Sequence, residues 1–443
     1  MPHARNYCDG LARRDFLKVG TAGMFGMGLS LPELLARQAQ AGTTSKSDVS
    51  LIILFLKGGL STIDTLDMKP GAPAEFRGEF DPIDSNVPGI QVGEHIPRIA
   101  RCADKFSLVR SFTHPDSNHG SADHYMLTGY APNAAFNPGL SPNNQAPAHG
   151  SVISKKLGPR GSIPPYVALP RMHSSGGSAY LGAVAAPFVI EADPNAPGFA
   201  VPDMVPPLDL AAARLNSRRS LLAQVDRYQK SAETNANANA RSVGVFREKA
   251  FELMTSREAK EAFNLHAEPE KLRDEYGRTS LGQSCLMARR LVEAGVRCVT
   301  IDHTNWDTHD NNFNVLKKEL LPSFDAGVSS LFRDLADRGL LDTTMVVVTG
   351  EFGRTPKINN NAGRDHWGPC FTVMLGGGGI QGGRVVGKSD AWANRPTDNP
   401  YRPEDLAATM YRQLGINPED EFHTPDGRPH KIVNDGKPIR ELL

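Results

Sequence analysis

After the apolar run Val299-Thr300-Ile301 the chain reads D-H-T-N-W-D-T-H-D, which places Asp302, His303, Asp307 and His309 in one short segment. A second apolar run, Met345 to Thr349, leads into G-E-F-G-R-T-P with Glu351 and Arg354, and G-R-D-H-W-G then supplies Asp365 and His366. Carboxylates and imidazoles are donors that zinc and manganese accept, and a guanidinium can grip an anionic oxygen with two parallel bonds. Asp307 and His309 are two residues apart, so an extended segment directs both to one side, where they can share a metal. Asp365 and His366 are adjacent and diverge, so His366 is expected to be the ligand and Asp365 to orient a ligand from behind. Glu351 is expected to bind metal and Arg354 to clamp an anionic oxygen. Trp306 could pack over the site and exclude water. Each cluster also has a plain structural reading: a solvated loop for Asp307 and His309, a loop-fixing ion pair for Glu351 and Arg354, and a structural imidazole beside Trp367 for His366. Asp302 and His303 either join the ligands or finish the strand.

Two further polar runs adjoin apolar segments. In T-H-P-D-S-N-H-G-S-A-D-H-Y-M-L-T-G, a helix opens near Ser117-Asn118-His119-Gly120, with His119 and His124 flanking its start. Backbone N–H groups at a helix start can hold an anion. Ser117 and Ser121 are candidate nucleophiles and equally good N-caps; no G-x-S-x-G elbow accompanies them, which argues against a standard serine hydrolase. In K-G-G-L-S-T-I-D-T-L-D-M-K-P, Ser61, Asp64 and Asp67 read as caps rather than ligands. The glycines Gly376 to Gly379 lack the G-K-[ST] ending of a phosphate loop and read as a turn between strands.

These segments need a scaffold that brings them together. Strands are expected at Leu51–Leu56, Phe106–Val109, Arg297–Ile301, Thr344–Thr349, Phe371–Leu375 and Arg384–Val386. Helices are expected near His95–Cys102 and at Leu281–Glu293, Leu316–Arg338 and Pro403–Leu414. Buried β-branched runs alternating with amphipathic helices predict an α/β fold with a mostly parallel, doubly wound sheet flanked by helices. Such sheets carry their sites at the carboxyl ends of the strands. A charged, Ala/Asn/Glu-rich stretch, about 207–278, reads as a helical insertion or cap.

Lys plus Arg and Asp plus Glu balance at 49 each in the 443 residues, so bulk charge gives no argument for nucleic acid or an anionic membrane. Arg13-Arg14-Asp15-Phe16-Leu17-Lys18, the apolar stretch from Val19 to Leu31 and Ala39-Gln40-Ala41 form a twin-arginine export signal with cleavage after Ala41. That predicts engagement of the twin-arginine machinery and a periplasmic or extracellular mature protein, residues 42–443. No other apolar run approaches the roughly 20 residues of a membrane span. Cys102, Cys285, Cys298 and Cys370 have no C-x-x-C spacing and read as buried hydrophobes.

The signal, G-G-L-S-T-I-D-T-L-D-M-K-P, N-W-D-T-H-D-N-N, G-E-F-G-R-T-P and G-R-D-H-W-G, in this order along essentially the whole chain, resemble the exported family called domain of unknown function 1501. That family is related to the alkaline phosphatase and sulfatase superfamily, whose members hold one or two metals at the carboxyl end of a mostly parallel sheet and cleave phosphate or sulfate esters. The resemblance makes Asp307, His309 and His366 the carboxylate and histidines of one metal site. Glu351 stands where the superfamily has an Asp, but Phe352 replaces the His that follows. The run ending in L-T-G resembles the sulfatase signature, with His119 in place of the Cys or Ser nucleophile; His119 is then a ligand, the preferred reading, or an attacking imidazole. The Asp after the first strand has no match, because Gly58-Gly59 occupies that turn. The resemblance thus implies an exported metal-dependent hydrolase of a sulfate or phosphate ester, acting on a sulfated or phosphorylated extracellular substrate. A metal-stabilised binding protein without turnover is the alternative. Mixed imidazole and carboxylate donors suit zinc or manganese, with calcium or magnesium favoured if carboxylates dominate.

Overall fold

The computed structural model describes residues 48–201 and 256–443. The twin-arginine signal and all of the 207–278 stretch before residue 256 lie outside them. Eight strands form the central sheet: β1 (Ser50–Leu56), β2 (Phe106–Phe112), β3 (Tyr166–Leu169), β4 (Phe188–Val189), β5 (Cys298–His303), β6 (Thr344–Thr349) and, after a small antiparallel ladder of β7 (Gly353–Arg354) with β8 (His366–Trp367), β9 (Phe371–Gly376) and β10 (Val385–Val386). Their spatial order is β10-β2-β9-β6-β1-β5-β3-β4. Every neighbouring pair is parallel except the two that involve β9.

Helices cover both faces: α1 (His119–Thr128), α2 (His149–Leu157), α3 (Glu270–Tyr276), α4 (Ser280–Glu293), α5 (Leu321–Asp337) and α6 (Pro403–Gln413). Alternate residues of β1 serve the two layers, as strand pleating requires. Ile52, Leu54 and Leu56 share a core with Leu286 and Leu291 of α4 and Leu331 and Phe332 of α5. Leu51, Ile53 and Phe55 share the opposite core with Met126 of α1, Val152 and Ile153 of α2, and Leu406 and Met410 of α6. All of β1 is buried, which is why its sequence is continuously apolar rather than alternating. The four cysteines in the described residues are buried and unpaired. Among those residues no helix is long and apolar enough to cross a membrane.

Several elements depart from the sequence pattern for identifiable reasons. β2 continues to Phe112, beyond the expected Val109, because Phe112 pairs with Phe371 of β9. β3 and β4 have no strong pattern of their own; β3 is hemmed in by Pro164-Pro165 and Pro170, and its parallel pairing with β5 makes it a strand. The stretch near His95–Cys102 contains only a single α-helical turn, Pro97–Ala100, whose first N–H groups from Arg98 and Ile99 donate to Asp325 on α5 at 3.0 and 2.7 Å. The long helix expected from Leu316 passes through a π-turn, Leu316–Leu320, before α5 begins. Pro322 has no N–H for the preceding turn, so the regular bonding pattern restarts there. In the described part of the charged stretch, Ala259, Phe263, Leu265 and Tyr276 enter the core beside α4 and α5. Buried Arg289 of α4 joins Glu268 and Asp334, both at 2.8 Å.

The loops at the carboxyl edge of the sheet are bound by one fully buried ion pair. Arg364 donates from Nη2 to Asp64 Oδ1 at 2.7 Å and from Nε to Asp64 Oδ2 at 2.8 Å, and neither side chain is exposed. Ser61 Oγ and Asn312 Nδ2 also donate to Asp64 Oδ2, at 2.6 and 2.9 Å, and Asn312 Oδ1 accepts from Thr308 Oγ1 at 2.6 Å. Asp64, read from sequence as a cap, therefore ties the loop after β1 to the loops that follow β5 and precede β9.

Asp64→Ala leaves the Arg364 guanidinium buried without a counter-charge and should cost about 3–5 kcal/mol in urea denaturation, whereas the double replacement Asp64→Leu with Arg364→Met should cost clearly less. His149, buried between the Tyr411 hydroxyl (2.9 Å) and the Met126 carbonyl (3.1 Å), is pushed down to about 4 by burial. Its unfolded value is near 6.5, so the unfolded chain binds the extra proton, and stability present above pH 6.5 is lost as pH falls toward 4, by roughly 3 kcal/mol at most. Thermal melts across that window should show the loss, and His149→Asn should flatten part of the slope.

Candidate metal centre

The strand directions explain why residues far apart in sequence meet. β1, β2, β5 and β6 point the same way, so the loops after them leave one edge of the sheet; Leu56 pairs with His303 and Phe55 with Thr349 at that edge. β9 runs against them, so its amino end lies at the same edge, Phe371 opposite Phe112. Asp365 and His366, just before β9, thereby reach the residues that follow β2, β5 and β6. Gly58 lets the loops close up: with φ +116°, a Cβ there would stand 2.3 Å from the Asp307 backbone nitrogen.

His119, the first residue of α1, stands with Asp307, His309 and His366 in one cluster. His119 Nε2 is 3.1 Å from Asp307 Oδ2, His366 Nε2 is 3.0 Å from Asp307 Oδ1, and His309 Nε2 is 3.1 Å from the same Oδ1. The His309 and His366 Nε2 atoms are 2.9 Å apart. Each ring has its other nitrogen committed to an oxygen. His366 Nδ1–H donates to the Ser117 carbonyl at 2.9 Å, His309 Nδ1–H to Asp365 Oδ1 at 2.7 Å, and His119 Nδ1 shares a proton with Glu351 Oε1 at 2.6 Å. A neutral imidazole whose Nδ1 carries the proton presents a bare lone pair at Nε2. These Nε2 atoms meet the carboxylate at hydrogen-bond distance, so each can share a proton with Asp307 or, once that proton is displaced, offer a lone pair to a cation. Donors about 2.1 Å from a tetrahedral ion are themselves roughly 3.4 Å apart, so the spacing suits a metal with little adjustment. His119, Asp307 and His366 each offer a donor atom that lies within 4.8 Å of the other two, and His309 joins the cluster through Asp307 and His366.

The electrostatics agree with a site that gathers positive charge. Asp307, and then Glu351, push the His119 imidazole up to about 9. Burial opposes ionisation of Asp307, yet its contacts with His119, His366 and Arg354 hold the carboxyl well below the usual range. Glu351 is fully buried; it accepts the Gly58 N–H on Oε1 at 2.9 Å and on Oε2 at 3.1 Å, besides holding His119. Burial, and then Asp123, push its carboxyl up. The geometry makes Glu351 a partner of His119; its oxygens are turned to Gly58 and His119 rather than to the shared centre.

Arg354 also departs from the sequence reading. Its side chain has no exposed surface; Nε donates to the Gly59 carbonyl (3.1 Å), Nη1 to that of Arg364 (3.0 Å), and Nη2 to Trp306 O (3.1 Å), Gly58 O and Asp307 Oδ1 (2.5 Å). A clamp on substrate needs a donor facing solvent, and in this structure the Arg354 guanidinium instead fastens three loops and Asp307. Trp306 is buried in the core, edge-on to Phe324, with its indole N–H donating to His303 Nδ1 at 2.9 Å, so it does not roof the site. Phe352 takes a covering role instead, stacked on the His366 ring at 4.4 Å and lying 5.2 Å from that of His119.

The remaining candidates fall outside the cluster. Asp302 is buried at the end of β5, and burial pushes its carboxyl up. His303 and His124 are each pushed down to about 4 by burial. The N-cap of α1 is Asn118, neither serine. Ser117 acts through its carbonyl and through Oγ, which accepts from Gly368 N at 3.1 Å. Sequence reading overlooked Asn359, Arg364 and the Ser117 carbonyl; the first two stand in N-N-N-A-G-R-D-H, where the positive-φ residue Ala362 and Gly363 mark a tight turn.

The family described as "Protein of unknown function (DUF1501)" matches residues 48–443. No curated protein matches the chain. Solved structures with some similarity include the PsFucS1 sulfatase from Pseudoalteromonas sp., 13% identical with a TM-score of 0.36, covering 87% of this chain and 70% of that one. The phosphonate monoester hydrolase SpPMH from Silicibacter pomeroyi is 14% identical with a TM-score of 0.35, covering 89% and 76%. The lipoteichoic acid synthase LtaP from Listeria monocytogenes is 11% identical with a TM-score of 0.34, covering 88% of each chain. The family match extends from two residues before β1 to Leu443 and includes every residue of the cluster, so the protein belongs to the DUF1501 family.

Proposed function

We propose that this protein is an exported metal-dependent hydrolase of a sulfate or phosphate ester, with one divalent ion, zinc or manganese, held by Asp307, His119, His309 and His366. The observation that carries the reading is the convergence of three Nε2 atoms on the Asp307 carboxylate, each ring held from behind by an oxygen on its Nδ1. Histidine ligands are ordinarily oriented in this way, through a carboxylate or carbonyl on the other ring nitrogen. A bound divalent ion supplies Lewis acidity, polarising an ester oxygen and making water a stronger acid.

The chain's own residues do the rest. Asp307 stays ionised and in place because Arg354 holds Oδ1 from the buried side. Glu351, Asp365 and the Ser117 carbonyl keep the imidazoles turned inward, and Phe352 keeps water from the back of the His366 ring. The amino end of α1 begins at His119, and its N-cap Asn118 makes no side-chain capping bond, so backbone N–H groups there are the donors that would receive the anionic group of an ester. They take the part first assigned to Arg354. The twin-arginine pattern at Arg13-Arg14 supports a substrate outside the cytoplasm, a sulfated or phosphorylated extracellular molecule.

One observation favours the second reading, a metal-stabilised binding protein without turnover: four protein donors can fill a tetrahedral shell, as in structural zinc sites. Against it, the side chains of His119, Asp307, His309 and His366 are 32, 42, 39 and 20% exposed, so solvent reaches the centre and a further position is open to water or substrate.

Elemental analysis of the purified, folded protein should find one divalent ion per chain, lost in Asp307→Ala and His366→Ala, with turnover of an aryl sulfate or aryl phosphate lost in the same variants. A metal-free wild type would overturn the metal reading; stoichiometric metal with no turnover of either ester class would favour the binding protein. Glu351→Gln should retain the fold but lower metal affinity about 10- to 100-fold, because the orienting carboxylate of His119 is gone; competition with a chromophoric chelator measures it.

A further inference from the structure

We propose that Asn359 is the positioning residue that makes His309 a ligand, acting on it through both the Asp365 carboxylate and the His309 backbone. This rests on the metal reading above, and it concerns the one ligand whose support lies on the surface. Glu351, behind His119, is wholly buried, and the Ser117 carbonyl, behind His366, belongs to backbone next to α1. Asp365, behind His309, is 55% exposed. A carboxylate so open to water exchanges freely among rotamers unless something holds it.

Asn359 supplies that hold. Its Nδ2 donates to the His309 carbonyl at 2.9 Å and to Asp365 Oδ1 at 3.3 Å, the same oxygen that accepts the His309 Nδ1–H at 2.7 Å. The amide cannot be turned round without loss, because its Oδ1 accepts the backbone N–H groups of Asn361 and Gly363, both at 2.9 Å. Asn359 N also donates to the Gly363 carbonyl at 2.9 Å, closing the turn. The turn is pressed against the ligand's backbone: a Cβ on Gly363 would stand 1.7 Å from the His309 carbonyl oxygen. One side chain thus fixes the main chain of His309, the orienting carboxylate and the turn that carries it. His119, Asp307 and His366 are anchored without it, whereas His309 and the Asp365 carboxylate behind it share the half-buried Asn359 as their common side-chain partner.

Asn359→Asp is the discriminating variant. It keeps an acceptor for Asn361 and Gly363 but removes the donor and sets a second carboxylate beside Asp365. Asn359→Ala removes both functions. Full-length wild type and both variants are titrated with zinc(II) and cobalt(II), and the visible d–d spectrum of the cobalt form is recorded. The expected result is affinity lower by about 10- to 100-fold in Asn359→Asp, with a weaker cobalt absorption as an imidazole gives way to water, and thermal unfolding of the metal-free proteins close to wild type. A merely structural role would lower the melting temperature and leave the affinity and spectrum of the folded protein unchanged. Wild type that binds stoichiometric metal, with Asn359→Asp matching it within two-fold and giving the same spectrum, would overturn the proposal; wild type that binds no metal would overturn the metal reading and this inference with it.

Discussion

The site depends on the buried pair between Asp64 and Arg364. Neither charge reaches solvent, so each must find its full set of partners inside: Asp64 accepts from Ser61, Asn312 and two guanidinium nitrogens, and Arg364 also donates to the carbonyls of Thr355, Pro356 and Phe76. Burying such a pair gains little net stability over an apolar substitute, and breaking it is costly. What it contributes is placement. Arg364 directly precedes Asp365 and His366, its N–H donates to the Thr308 carbonyl at 3.1 Å, and Thr308 stands between Asp307 and His309. The loops that carry Asp307 with His309 and Asp365 with His366 are thereby held in register from behind.

Arg354 repeats the device one layer closer to the solvent. Its guanidinium gathers carbonyls of the loops after β1 and β5 and ends on Asp307, so the carboxylate at the centre is itself fixed by a buried cation. Glu351 does the converse for His119, a buried anion satisfied by the Gly58 N–H and the imidazole. Two neighbours in sequence, Glu351 and Arg354, thus work on opposite members of the cluster rather than on each other. This alternation of charge inward from the surface holds three imidazoles against one carboxylate in a fixed arrangement.

The sheet topology makes the assembly possible. Parallel strands deliver the loops after β1, β2, β5 and β6 to one edge, but Asp365 and His366 precede a strand rather than follow one. Only because β9 is reversed does its amino end fall at that same edge. The short β7–β8 ladder, pairing Arg354 with His366, then sets the two segments side by side. Close approach is preserved by Gly58, Gly363 and Gly368, where a side chain would strike the Asp307, His309 and Asp116 backbones.

Much of this was written locally. The continuous apolar runs of β1, β5, β6 and β9 declare buried strands, the amphipathic repeat of α4 and α6 declares their covering helices, and donor-rich motifs after those strands name Asp307, His309 and His366, with Asp365 behind them. Local pattern could not decide which polar residues face the centre, because that depends on partners hundreds of positions away. Glu351 and Arg354 were legible as functional types, yet the burial of both side chains directs one to His119 and the other to Asp307. Asp64 looked like a helix cap because its partner Arg364 is 300 residues distant. β3 has too few residues to announce itself and exists through its pairing with β5, and β9's reversal has no sequence signature of its own. The sequence by itself determined the donor types and the strands that carry them; tertiary structure decided their roles, since an ionisable side chain takes its function from the charges and backbone groups that folding brings to it.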